Sequence, residues 1–148
     1  MMRRYWVCKA AQEHVHIVRD KGYTQVNMGP REPLANMNIA DWILYYSPTM
    51  YYEQQYPQCQ QFTGIASVSD HRVYPQSNQF PDRWRRNVEF FECIPYHPHH
   101  FIGKVNFLPQ DKDWQEILDQ PIIEISRSDF VHIAQQILIP DNSRILLY

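Results

Sequence analysis

Glycine is scarce in this sequence, which has only four in 148 residues. Loops that cradle phosphates depend on closely spaced glycines, and neither a G-x-x-x-x-G-K loop nor a G-x-S-x-G nucleophile turn occurs. A nucleophilic site could still combine Cys59 with a histidine and a carboxylate, but no local motif supports one. The sequence therefore disfavours both a glycine-rich nucleotide loop and covalent catalysis.

Cysteine is also scarce, and the three thiols belong to Cys8, Cys59 and Cys93. Their number is odd, they are widely spaced, and no C-x-x-C pair occurs. This pattern disfavours a disulfide framework and a four-thiolate zinc site. We predict reduced, buried thiols.

Long apolar runs and an export signal are both missing. The longest apolar runs cover a few residues, whereas a membrane-spanning helix needs ~20. The charged start at residues 1–4 resembles that of a signal peptide, but Lys9, Gln12 and Glu13 follow before any apolar run develops. We expect no membrane association and a cytoplasmic location.

The charge is nearly balanced, since 14 Lys and Arg residues against 16 Asp and Glu residues give a net charge of −2. Bulk electrostatic attraction to nucleic acid is therefore excluded, and any such binding needs a local site. Hydrophobic residues make up 44% of the chain and aromatic residues 14%, which is enough for an ordered core. We predict a single domain over residues 1–148.

Apolar periodicity and turn residues predict an α+β fold. We expect strands at residues 5–8, 42–46, 59–69, 73–76, 84–94 and 122–125, with a turn at Asp70 and His71 between the third and fourth. We expect helices at residues 12–21, 33–37 and 114–118, and a last helix capped by Ser128 and Asp129. A turn at 27–30, a loop at 49–58 and a strand or tail at 145–148 complete the prediction. Strand 42–46 is expected at the sheet centre, and the sheet is expected to be mainly antiparallel and barrel-like, with flanking helices.

A histidine cluster raises the question of a metal site. His97, His99 and His100 follow Cys93 closely, and His14 and His16 lie far away in the sequence. Zinc ligands usually come in closely spaced pairs from two places, and no matching second pair is evident. We interpret the cluster as an exposed, proline-containing loop and predict no metal.

Aromatic residues on separate predicted strands suggest a pocket. Its walls would come from Trp6, Trp42, Tyr45, Tyr46, Phe62 and Trp84. Nearby polar side chains could hydrogen-bond the edge of a planar ligand, and Arg85 and Arg86 could hold a phosphate. Stacking needs no large positive charge. Composition alone does not distinguish this pocket from ordinary core packing.

Several segments together resemble the EVE domain family, which has a PUA-like fold related to the YTH readers of methylated adenine. These segments are Tyr5-Trp6-Val7, Gly22-Tyr23-x-Gln25, the block from Asp41 to Pro48, Cys59-Gln60-x-Phe62-Thr63-x-Ile65, Trp84-Arg85-Arg86-x-Val88, Glu124-Ile125-Ser126 and Asp129-Phe130. The resemblance implies a pseudobarrel of five or six strands. It also implies a pocket for a modified base in DNA or RNA, without chemistry on the base and without a cofactor.

The resemblance also suggests which residues bind. It places Trp6 and Trp42 as stacking faces, Gln25, Ser47, Gln60 and Thr63 as readers of the base edge, Tyr45 in the pocket, and Arg85 and Arg86 as phosphate contacts. No residue is assigned a catalytic role. The chain departs from the family pattern at residues 7–11, which lack a hydroxyl, and at residues 113–118, which lack a glycine.

Two other functions are open at this stage. One is a hydrolase of the related ASCH-like group acting on RNA or a modified nucleoside, with Lys9 or Lys104 as the acid or base. The other is a domain that binds a small nucleotide or a protein, with the tyrosine-rich residues 51–56 as an interface. The oligomeric state is not predicted.

Overall fold

The computed structural model describes residues 2–26, 31–52 and 54–139. Its strands are β1 (Tyr5–Lys9), β2 (Tyr23–Val26), β3 (Trp42–Thr49), β4 (Gln58–Pro75), β5 (Trp84–Phe91) and β6 (Ile122–Ile125). Its helices are α1 (Gln12–Lys21), α2 (Glu32–Ala35), α3 (Trp114–Leu118) and α4 (Arg127–Ile137), with a 3₁₀ turn at Pro98–Phe101. The turn predicted at residues 27–30 and the tail predicted at 145–148 lie outside the described residues.

The six strands form one sheet in the order β2-β5-β4-β3-β1-β6. β1 pairs with β3 in parallel, and the other neighbours are antiparallel. The predicted α+β class is thus confirmed: the described residues form a mostly antiparallel open sheet and four helices. β3 and β4 are the two central strands, as the unbroken apolar run in β3 predicts. The parallel pair arises because α1 carries the chain from β1 to the far edge of the sheet.

The sheet buries side chains on both faces. Side chains alternate along a strand, so Trp42, Leu44 and Tyr46 join one cluster while Ile43 and Tyr45 join the other. We call the first the α4 face, because α4 covers it together with the 3₁₀ turn and α3. We call the second the α1 face, because α1 and α2 pack on it. This division decides which of the predicted binding residues share a surface.

The start of α4 differs from the prediction by two residues. Ser126, rather than Ser128, is the N-cap, and its hydroxyl accepts a hydrogen bond from the Asp129 backbone nitrogen at 3.1 Å. Asp129 is buried and accepts a hydrogen bond from the Phe107 nitrogen. The carboxylate that the sequence suggested as a cap instead anchors the preceding segment to the helix.

β4 is longer than predicted. The turn expected at Asp70 and His71 is wrong, because the strand continues from Gln58 to Pro75 with a register irregularity between Val68 and Val73. A bulge at this position absorbs the polar residues without ending the strand. The reversal comes at residues 76–83, and the β4–β5 hairpin therefore extends well beyond the core. The loop predicted before β4 is confirmed for the described residues between β3 and β4.

Gly64 allows α1 to lie directly on β4. A Cβ at this position would lie 2.9 Å from Val15 Cγ1 and 3.3 Å from Tyr45 Cδ2. Both neighbours are buried core side chains, so neither can move freely. Gly64→Ala is expected to lower the free energy of unfolding by about 1–3 kcal/mol, the usual cost of overpacking. Urea denaturation measures this change. Ser69→Ala, on an exposed part of the same strand, serves as the control, and equal midpoints for the two variants would contradict the packing.

Among the described residues, no helix is long and apolar enough to cross a membrane.

Candidate nucleic-acid interface

The two tryptophans predicted to stack on a base do not share a cleft. Trp6 lies in the cluster of the α1 face and Trp42 in that of the α4 face. Each is at most 7% exposed, and the sheet separates them. The prediction that these two indoles face a common pocket is therefore wrong. The reason is the alternation of strand side chains: the parallel register pairs Trp42 with Tyr5 and not with Trp6.

Both tryptophans have structural contacts that explain their burial. The Trp6 indole Nε1 donates to Asp41 Oδ2 at 3.1 Å, and this buried carboxylate also accepts hydrogen bonds from the Arg4 and Asn38 backbone nitrogens. Trp42 packs between Phe91 and Phe130, with ring centroids 5.3 and 5.5 Å away. These contacts hold β1, β3 and α4 together.

Three further predicted residues are buried and bonded within the protein. The Tyr45 hydroxyl donates to Thr24 Oγ1 at 2.6 Å, and burial raises the pKa of this phenol above its usual range. Ser47 and Thr63 hydrogen-bond each other at 2.6 Å. Satisfied buried hydroxyls of this kind stabilise the region where β3, β4 and β2 meet. Their expected part in reading a base edge stays a prediction.

Arg86, predicted as a phosphate contact, is 2% exposed. Its guanidinium donates to the backbone carbonyls of Leu34, Met37 and Asp70, of which the first and last lie at 2.7 and 2.9 Å. Burial lowers the pKa of Arg86, while the charges of Asp41 and Asp70 raise it. The phosphate role is corrected here, because the side chain is buried and its Nε and Nη1 hydrogens hold α2 to the β4–β5 hairpin.

Arg85 and Gln25 are the two predicted residues that the structure brings together at a partly accessible position. They are paired in register across β5 and β2. Arg85 Nε donates to Gln25 Oε1 at 2.7 Å, and the guanidinium carbon lies 4.0 Å from the centroid of the Tyr23 ring. A guanidinium fixed by an amide and an aromatic ring keeps its other nitrogens in a defined plane.

His14 on α1 adjoins this pair. Burial lowers the pKa of His14, a hydrogen bond to the Gln25 backbone raises it, and the Arg85 charge lowers it. The net direction is down, so the imidazole is neutral at physiological pH. We call His14, Tyr23, Gln25 and Arg85 the β2–β5 cluster. It combines a neutral ring, an amide and an oriented cation.

Arginines continue from this cluster along the β4–β5 hairpin, each beside an aromatic ring. The guanidinium carbons of Arg72 and Arg83 lie 5.2 and 4.0 Å from the ring centroids of Tyr74 and Phe80. Arg31 lies 5.6 Å from the ring centroid of Trp84, but Trp84 packs with the cluster of the α1 face and is not part of this surface. Residues 71–87 hold four arginines and one aspartate, whereas residues 109–129 hold six acidic and two basic residues. Although the net charge is small, positive charge is therefore concentrated in the hairpin segment and negative charge in residues 109–129. We call the hairpin surface the arginine–aromatic surface.

The remaining predicted residue, Gln60, lies elsewhere, in a cleft that it shares with Tyr46 and α3.

The histidine cluster forms part of the 3₁₀ turn, with His97 Nδ1 and His99 Nδ1 2.7 Å apart and the His97 ring 5.1 Å from that of Trp114. Residues 2–26, 31–52 and 54–139 contain no group of three or more His, Cys, Asp or Glu side chains arranged to hold a metal ion. Cys93 instead packs against the core of the α4 face.

The two lysines considered for hydrolysis have ordinary surroundings. Lys9 Nζ lies 3.1 Å from Asp119 Oδ1, and Lys104 is an exposed residue just after the 3₁₀ turn. The tyrosines considered as an interface are exposed, as expected of a surface loop, at 46% for Tyr51, 50% for Tyr52 and 66% for Tyr56. Neither observation identifies a substrate or a partner.

Sequence reasoning missed several members of the site. His14 was considered only as a distant metal ligand, Tyr23 was named only as part of a family motif, and Arg72 and Arg83 were not singled out. A usable signal was present: Tyr23 and Gln25 are two residues apart in a strand, and Arg72 and Tyr74 are also two residues apart. Side chains so spaced lie on one strand face, where an arginine and a ring can meet.

Comparison with known proteins gives the family. The EVE domain pattern matches residues 4–136. A UPF0310 protein encoded in the gntR 5′ region of Bacillus licheniformis is 34% identical over 133 residues, covering 88% of each chain. The UPF0310 protein YdcG of Bacillus subtilis is 29% identical over 141 residues, covering 91% of this chain and 92% of its own. This chain belongs to the EVE domain family.

Solved structures share the fold at low sequence identity. The YTH domain of Zygosaccharomyces rouxii MRB1 protein, determined with N6-methyladenosine RNA, aligns with a TM-score of 0.63 at 13% identity and covers 90% of this chain and 85% of its own. Human THYN1, determined with DNA containing 5-methylcytosine, aligns with a TM-score of 0.54 at 12% identity, covering 88% and 95%. The PUA-like architecture is thus shared with two domains that bind modified nucleic acids.

Proposed function

We propose that this protein is a non-enzymatic module, a single domain over residues 1–148, that binds a modified base in DNA or RNA. The β2–β5 cluster is the observation that carries the proposal. It brings an amide, a neutral imidazole and a ring-supported guanidinium to one partly accessible edge of the sheet. EVE family membership, and the modified nucleic acids in the two structures with a related fold, support the same class of ligand.

Each part of the cluster suits one part of a nucleotide. Amide and imidazole groups can both donate and accept hydrogen bonds, as the edge of a base requires. The planar guanidinium of Arg85, steadied by Gln25 and Tyr23, suits a phosphate oxygen or the face of a base. Recognition of one base by a few such groups needs no strongly basic protein.

The arginine–aromatic surface extends the site along the polymer. Guanidinium groups neutralise phosphates, and aromatic rings offer stacking surfaces to splayed bases. Arg72 and Arg83 are exposed or partly exposed beside their rings, so they can reach a strand that leaves the β2–β5 cluster. The acidic segment at residues 109–129 repels phosphate and favours binding in this one orientation.

The proposal is tested by fluorescence anisotropy with matched oligonucleotides. The panel contains single-stranded RNA with N6-methyladenosine, DNA with 5-methylcytosine or 5-hydroxymethylcytosine, and unmodified strands of the same sequence. We expect at least one modified strand to bind about tenfold more tightly than its unmodified partner, because one well-placed contact contributes about 1–3 kcal/mol. Equal affinity across the panel would contradict base recognition.

Mass spectrometry of the same oligonucleotides after incubation separates binding from chemistry. We expect every mass to be unchanged. A shortened strand or an altered base would instead identify the ASCH-like hydrolase alternative and overturn the non-enzymatic proposal.

A further inference from the structure

Two further polar side chains, those of Asn87 and Tyr74, lie on the same surface of the sheet as Arg85. The strand register places Asn87 directly opposite Tyr23 and Tyr74 directly opposite Arg85. Side chains at directly opposite positions point to the same face, and Asn87 is also two residues from Arg85 in β5. Both side chains are partly accessible. The surface that presents Arg85 to solvent therefore presents these two groups as well.

The pairing of β2 with β5 brings Asn87 close to the β2–β5 cluster. Val88 N donates to Gly22 O at 3.1 Å, so the next pair along the ladder, Tyr23–Asn87, is a non-hydrogen-bonded pair. In such pairs the Cα atoms are ~4.5 Å apart, compared with ~5.5 Å in hydrogen-bonded pairs, and the side chains lie closer together. The Arg85 guanidinium lies over the Tyr23 ring. A ligand held by Arg85 is therefore within reach of Asn87.

Tyr74 fixes the orientation of the Asn87 amide. The Tyr74 hydroxyl donates to Asn87 Oδ1 at 2.6 Å, a distance typical of O–H···O bonds and shorter than most N–H···O bonds. Burial raises the pKa of Tyr74 and the charges of Arg85 and Arg72 lower it, with a net direction upward, so the phenol keeps its proton. No other hydrogen bond of the Asn87 side chain is found among the described residues. The group that Asn87 offers to a ligand is therefore its amide nitrogen, Nδ2.

The neighbours of Asn87 on this surface are also hydrogen-bond donors. Arg85 uses its Nε for Gln25, and its two terminal nitrogens can only donate. Arg72 adds a second guanidinium beside the Tyr74 ring. Glu89 is the next residue of β5 on the same face, but it lies beyond residues 84–87, which pair with β2. The surface next to β2 therefore matches a ligand edge that carries hydrogen-bond acceptors.

We propose that Asn87 is a specificity-determining residue of the binding site, whose amide nitrogen donates a hydrogen bond to an acceptor atom on the edge of the modified base. The acceptor is a ring nitrogen or a carbonyl oxygen. This inference rests on the proposed function and identifies a residue that reads the base. Tyr74 is a positioning residue, because its hydroxyl holds the amide oxygen and leaves the nitrogen for the ligand. A base that presents a donor at this position is rejected, because two donors then face each other.

Asn87→Asp tests the donor directly, because it replaces the NH₂ group by an oxygen with almost no change of shape. Fluorescence anisotropy of the full chain compares strands that contain N6-methyladenosine, 5-methylcytosine or 5-hydroxymethylcytosine with counterparts that have an abasic site at that position. We expect Asn87→Asp to lower the ratio of the two affinities about tenfold for the best modified strand. Both strands carry the same phosphates, so the ratio cancels the effect of the added charge. Asn106→Asp makes the same change at an exposed position outside the site, and we expect an unchanged ratio.

Tyr74→Phe tests the positioning role. The amide of Asn87 can then rotate, and we expect the same ratio to fall about threefold. In the double variant Tyr74→Phe/Asn87→Asp we expect the ratio of Asn87→Asp alone, because Tyr74 acts through the Asn87 amide. Additive losses would contradict the positioning role. Circular dichroism verifies that each variant is folded.

Unmodified strands of the same sequence separate this inference from the proposed function. If the parent protein binds modified and unmodified strands equally, base recognition fails and the role of Asn87 fails with it. If the parent protein prefers a modified strand and Asn87→Asp leaves the ratio to the abasic strand unchanged, the proposed function stands and the role of Asn87 is overturned.

Discussion

Replacing Arg86 by methionine is expected to lower the free energy of unfolding by about 2–4 kcal/mol. Methionine matches the length of the aliphatic stem but donates nothing, so the carbonyls of Leu34, Met37 and Asp70 lose their buried partner. An unsatisfied buried acceptor costs more than the lost bond itself. Urea denaturation followed by circular dichroism measures the effect.

Arg85 provides the matched control for that experiment, since it directly precedes Arg86 in the same strand. Arg85→Met removes the same group from a partly accessible position, and we expect a loss of less than about 1 kcal/mol. If both variants unfold at the same urea concentration as the parent protein, Arg86 does not hold α2 to the hairpin.

Arg85→Ala is expected to weaken binding of the preferred modified oligonucleotide by about tenfold to a hundredfold, the cost of losing charge-assisted hydrogen bonds. The loss has two sources, because Gln25 also loses the partner that orients its amide. Fluorescence anisotropy at fixed salt measures the change.

Two further variants test whether the planar shape of Arg85 and its position matter, or only its positive charge. Arg85→Lys keeps the charge but not the planar group, and we expect it to recover only part of the affinity. Arg127→Ala removes one positive charge from an exposed position at the start of α4, outside the arginine–aromatic surface, and we expect unchanged affinity. If Arg127→Ala weakens binding as much as Arg85→Ala, the β2–β5 cluster is not the binding site.

The contrast between Arg85 and Arg86 shows where sequence reasoning reaches its limit. Two adjacent arginines look alike in a sequence, but adjacent residues of a strand point to opposite faces. The pairing of β5 with β2 turns Arg85 toward Gln25, while the packing of α2 buries Arg86. Both consequences depend on contacts between residues more than thirty positions apart, which local patterns do not contain.

Trp6 and Trp42 show the same limit for aromatic residues. The sequence predicted that each lies on a separate strand, and this is confirmed. Whether they face one another depends on register, and the parallel pairing of β1 with β3 places them on opposite faces. The hydrogen bond to Asp41 explains the buried position of Trp6, and packing against Phe91 and Phe130 explains that of Trp42.

The fold was more predictable than the site, because it follows from local periodicity. The apolar run in β3 marked a central strand, and Val15 and Val18 marked the buried side of α1. The continuous course of β4 was missed since Asp70 and His71 are typical turn residues, and only the pairing with β5 shows that a bulge accommodates them. The charge polarity between the hairpin and residues 109–129 was visible in the sequence, but the overall charge of −2 concealed it.

Nuclear magnetic resonance of the arginine side chains tests the central claim most directly. The protein, labelled with ¹⁵N at arginine, is titrated with the modified oligonucleotide that binds best, and each Nε–H signal is assigned by substitution. We predict a large shift of the Arg85 signal, smaller shifts for Arg72 and Arg83, and no shift for Arg86. A modified strand that binds without moving the Arg85 signal would contradict recognition at the β2–β5 cluster.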